Sequence, residues 1–90
     1  MKSTTITIHH PAGLTVEAAS ILAGAADLCS SHVDLIKGTN TANCRSLLNI
    51  LSLSVGPGEE VELRVEGEHE DADMARLLEA IERAGGHPNM

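Results

Sequence analysis

Ninety residues suffice for one small domain and exclude two. The composition is 42% hydrophobic with no Phe, Tyr or Trp, so the expected core is aliphatic and the stacking platform of single-stranded nucleic acid binders is missing. Thirteen acids against six bases give a formal charge of −7, and all of that excess lies in residues 59–90, a poor surface for phosphate backbones or anionic membranes and a good solubilising face.

Thr4 to Ile8 alternates with β-branched residues throughout and predicts a strand. His9-His10-Pro11-Ala12-Gly13 breaks it, since Pro11 cannot donate to a ladder. Thr15 is a good N-cap for a helix reaching Leu28, with Ala18, Ile21, Leu22, Ala25 and Leu28 predicted on the inner face. A second strand is predicted over His32–Lys37, a turn at Gly38-Thr39-Asn40, and a short third strand over Thr41–Cys44. Ser46 then caps a brief helix over Leu47–Ser52. Gly56-Pro57-Gly58 marks a turn before Glu60–Glu66, whose strict alternation predicts one buried and one charged face. A last helix is expected from about His69 to Ala84, with Met74, Leu77, Leu78 and Ile81 inside and Gly85 at its C-terminal end. Residues 86–90 read as a flexible tail after a single domain over 1–85.

The order strand, helix, strand, strand, helix, strand, helix predicts an α+β domain. Three helices cover one face of a four-stranded antiparallel sheet, and the other face, with Thr5, Thr7, Glu60, Glu62 and Arg64, meets water. Cys29 and Cys44 read as reduced thiols of a cytoplasmic protein. Neither a targeting segment nor a membrane span is visible, and no histidine or cysteine spacing suggests a metal. No cofactor is expected.

Three segments carry a resemblance: Pro11-Ala12-Gly13-Leu14, Arg45-Ser46-Leu47-Leu48 through Leu53-Ser54-Val55, and Glu66-Gly67-Glu68 before the last helix. With the element order, they make the chain resemble HPr, the histidine-containing phosphocarrier protein of the bacterial sugar phosphotransferase system, from about Thr4 to Ala84. The resemblance implies the HPr open-faced sandwich, βαββαβα. The family signature is Gly-Leu-His, then Ala or Thr, then Arg-Pro-Ala. Here the stretch reads Gly13-Leu14-Thr15-Val16-Glu17-Ala18-Ala19, so the phosphorylatable histidine falls on Thr15, the arginine on Glu17 and the proline on Ala18. A phosphocarrier of this family needs an imidazole nitrogen at a helix N-terminus. Thr15 offers a hydroxyl with no neighbouring base, and Glu17 puts negative charge where the family has a cation.

His9 and His10 are expected to be exposed loop residues, remote from a helix N-terminus, with His32 and His69 at the starts of a strand and a helix. Ser46 matches the serine that a dedicated kinase phosphorylates in Gram-positive members. A phosphate there would sit at a helix N-terminus beside Arg45; a plain N-cap role is the simpler reading. The resemblance also implies a docking surface. The matching residues are Thr15, Val16, Ala19 and Ser20 of the first helix, with Leu47, Leu48 and Leu51 of the short one. Gly24 and Asp27 replace residues that are often lysine in the family, so the cationic rim is gone. A helix this short cannot bury Leu47, Leu48, Ile50 and Leu51 together, so at least one should stay in water. The expected function is a regulatory or accessory protein-binding module, not an enzyme. Its partners would be phosphotransferase-system enzymes or a transcriptional regulator, and not nucleic acid, membrane or metal. The alternative is a phosphocarrier with residual or unrecognised phosphotransfer.

Overall fold

The structure, a computed structural model, describes residues 1–88. Alternation along the chain sets four strands: β1 (Lys2–Ile8), β2 (His32–Lys37), β3 (Asn40–Asn43) and β4 (Glu60–Glu66). They pair antiparallel in the order β3-β2-β4-β1. The register puts Ile6 opposite Val61, and Val33 and Leu35 opposite Val65 and Leu63. All six are buried, so the inner face is a continuous aliphatic layer. Three helices cover that face: α1 (Val16–Asp27), α2 (Leu47–Leu51) and α3 (Glu70–Arg83). Leu22, Ile50, Leu77 and Ile81 are buried against it. The α+β sandwich in the order βαββαβα is therefore present as expected.

A fifth strand, β5 (Gly86–Pro88), pairs with Ile6–Ile8 at the free edge of β1. This corrects the reading of a flexible tail from residue 86, while Asn89 and Met90 lie outside the described residues. The reason lies in two glycines. Gly85 takes φ +89° after the C-cap residue Ala84, turning the chain back from α3. Gly86 then lies so close to the core that a Cβ would stand 2.8 Å from Ile81 Cγ2 and 3.2 Å from Ile6 Cγ2.

The buried face of α1 also differs from the periodic expectation. Ala18, Ala19, Leu22, Ala25 and Ala26 are buried, Ile21 is half-buried, and Leu28 is 71% exposed. Paired alanines present a smooth surface that allows close approach, so the helix turns toward Ala19 and Ala26. Leu28 falls at the C-cap, past the last packed turn.

Candidate functional site

The entry to α1 is fixed from both sides. Gly13 has φ +74°, and a Cβ on it would stand 2.5 Å from the Val55 carbonyl oxygen, so only glycine fits that turn. Leu14 N–H donates to the same carbonyl at 3.0 Å, anchoring the loop to the segment before β4. Thr15 follows in extended conformation as the N-cap. Its Oγ1 accepts from Ala18 N–H at 3.1 Å, and its carbonyl from Ala19 N–H at 2.8 Å. The hydroxyl oxygen is thus engaged in holding the first turn. Val16 and Glu17, the next two residues, are exposed, as is Ser20, while Ala18 is buried.

A cleft of about 200 Å³ lies between this N-terminus and the last turn of α3, lined by His10, Thr15, Glu17, Glu82, Arg83 and Gly85 among others. His10 is exposed, as expected, yet it is not remote from the helix N-terminus. Gly85 has no side chain, and a Cβ there would meet the His10 Cβ at 3.2 Å. That close approach brings the ring to the same cleft as Thr15. Its Nδ1 accepts Ala12 N–H at 3.0 Å, so the neutral ring carries its proton on Nε2.

Ser46 caps α2 through a hydrogen bond from Asn49 N–H to its Oγ at 3.2 Å. Arg45, adjacent in sequence, donates its guanidinium to the carbonyls of Cys29 and Ser31, the latter at 3.0 Å. It is committed to the loop between α1 and β2. On α2, Ile50 is buried, Leu47 and Leu51 are half-buried against the core, and Leu48 is 79% exposed. One leucine therefore does stay in water.

Sequence reasoning missed a polar cluster at the start of α3. Asp73 is buried, and its Oδ2 accepts from Ser31 N–H at 3.0 Å, from the Ser31 hydroxyl, and from the Ser30 hydroxyl at 3.4 Å. The Ser31 hydroxyl, more than any other group, holds the Asp73 carboxyl below the usual aspartate range. The partners lie more than forty residues apart in sequence, so no local signal could find them. Both cysteines are free and buried; burial pushes the Cys44 thiol up to about 12 and raises that of Cys29. No helix among the described residues is long and apolar enough to cross a membrane. Among those residues, no group of three or more His, Cys, Asp or Glu is placed to hold a metal.

Comparison with known proteins bears on this arrangement directly. Residues 2–83 match the family described as PTS HPr component phosphorylation site. The phosphocarrier protein HPr of Treponema pallidum is 33% identical over 79 residues, covering 88% of this chain and 85% of its own. The crystal structure of HPr from Thermoanaerobacter tengcongensis superposes with a TM-score of 0.85 at 32% identity, covering 93% of this chain and 94% of that one. Crh, the Bacillus subtilis catabolite repression containing protein, gives a TM-score of 0.72 at 28% identity, covering 82% and 85%. With the sandwich, the Gly13-Leu14 turn and the capped α1 on one side of it, these matches show that the chain belongs to the HPr family.

Proposed function

We propose that this HPr-family protein has a degenerate phosphohistidine site and works in the cytoplasm by binding protein partners, as a regulatory or accessory module rather than an enzyme. One observation carries the reading: Thr15, which the signature motif aligns with the family's acceptor histidine, serves through its side chain as the N-cap of α1. Although His10 lines the same cleft, its Nδ1 accepts from Ala12 N–H, and no hydrogen bond joins its ring to the Thr15 hydroxyl among the described residues. A threonine hydroxyl that no base activates is a poor nucleophile. Its phosphoester would also be too stable to hand the group on. Glu17, in the same first turn and on the same cleft, repels an incoming phosphoryl group. Binding is supported by the exposed Val16 and Leu48 on two helices that pack together. A related fold named for catabolite repression is consistent with a regulatory role. Fitting partners are phosphotransferase-system enzymes or a transcriptional regulator. Ser46 is a candidate regulatory phosphorylation site.

Residual phosphotransfer is the second reading, and the position of His10 on the Thr15 cleft favours it. Against it, the lone pair of the unprotonated ring nitrogen, Nδ1, is engaged by Ala12 N–H.

A rescue series tests the main reading. Incubated with phosphoenolpyruvate and the first enzyme of the system, Thr15→His should acquire little acid-labile phosphate, because Glu17 remains. Thr15→His with Glu17→Arg should acquire measurably more. Equal labelling of the single and double variants would remove Glu17 from the account.

A further inference from the structure

Among the described residues, four large hydrophobic side chains are exposed, and two of them, Val16 and Leu48, stand on the packed pair α1 and α2. Beside Val16 in sequence, Glu17 lines the cleft from α1, and Glu82 lines it from α3. Both are exposed. Asp34, Glu59, Glu62, Glu70 and Asp71 stand in ion pairs, whereas neither cleft glutamate does among the described residues. Glu82 lies in the last turn of α3, where the helix dipole disfavours an acid and favours a cation. Arg83 offsets that charge only in part; with His10 as the one further ionisable side chain on the lining, the cleft holds two carboxylates against one guanidinium and one imidazole.

We infer that this face takes a basic amphipathic segment of a protein partner, with an apolar side chain against Val16 and Leu48 and a Lys or Arg side chain entering the cleft between Glu17 and Glu82. The inference rests on the binding-module reading above and names its partner class. Charge complementarity selects the occupant: an acidic segment would meet Glu17 and Glu82, and would be repelled.

The probe is a synthetic helix-forming peptide of about fourteen residues with Leu at i, i+3, i+4 and i+7 and Arg on the other face. It is titrated into isotope-labelled protein while the backbone amide spectrum is recorded. The expected shifts concentrate at Val16, Glu17, Leu48 and Glu82. The paired change Glu17→Arg with Glu82→Arg should weaken binding by roughly tenfold or more, and the charge-matched pair Glu66→Arg with Glu68→Arg by less than about twofold. All four glutamates are exposed, so both variants should keep the fold. Leu48→Ala, which changes no charge, should also weaken binding. Equal weakening by the two charge pairs would reduce the effect to net charge and overturn the inference. So would shifts on the open sheet face, the absence of binding, or equal binding of a peptide with Glu in place of Arg. The phosphoryl assay reads Thr15 and Glu17 without any peptide, so failure of either reading is told from failure of the other.

Discussion

Thr15, Ser46 and Asp73 each accept hydrogen bonds from backbone N–H groups, yet they stand in different environments. Thr15 and Ser46 cap helices near the surface, where a cap is worth about 1 kcal/mol. Ser46→Ala should therefore lower stability by about 1 kcal/mol, and Ser46→Asp should be close to neutral, as read by urea denaturation. If Ser46 is also a switch, the Asp variant will change partner affinity with the fold intact; unchanged affinity leaves the cap alone. Asp73 is buried and ties α3 to the loop before β2. Its carboxyl titrates below the ordinary aspartate value, chiefly because of the Ser31 hydroxyl. The stabilisation is therefore complete above the unfolded-state pKa and is lost as pH falls through the lowered folded value. Asp73→Asn should cost about 1–3 kcal/mol at neutral pH, and wild type and variant should converge in strong acid. A constant difference across the acid range would show that the charge is not what stabilises.

At the scale of elements, α2 is the informative one. Its five residues present Ile50 to the core and Leu48 to water, with Leu47 and Leu51 between. Truncating Ile50 to Ala should cost about 2–5 kcal/mol through the cavity it leaves. Leu48→Glu should move the melting temperature little and abolish capture of the natural partner. Unfolding on Leu48→Glu would make the residue core and remove the proposed surface. The strands were legible because alternation maps directly onto a half-buried sheet, as in Glu60–Glu66. The rotation of α1 was not, since two alanines per turn give no hydrophobic peak to read. Nor was β5: a Gly-Gly pair reads as fraying until Gly86 is seen seated against Ile81 and Ile6.

For the molecule as a whole, the sandwich makes one site out of distant segments: the loop after β1, the first turn of α1 and the end of α3. From the sequence, the identity of Thr15 and Glu17 was plain, whereas the meeting of His10 and Glu82 with them depends on long-range packing. Arg45 shows the same limit, for adjacency to Ser46 did not reveal its hydrogen bonds to Cys29 and Ser31. The chain belongs to the HPr family; the proposal of a degenerate phosphoryl site rests on two side chains, Thr15 at the N-cap and Glu17 in the first turn of α1. The direct measurement is therefore on the unaltered protein. After incubation with phosphoenolpyruvate and the first enzyme of the phosphotransferase system, its mass is compared before and after mild acid. The expected result is no acid-labile phosphoryl group under conditions that fully label a phosphocarrier HPr. A phosphoryl mass lost in acid, and mapped by fragmentation to His9 or His10, would contradict the account, and at His10 it would place the acceptor on the cleft that Thr15 lines.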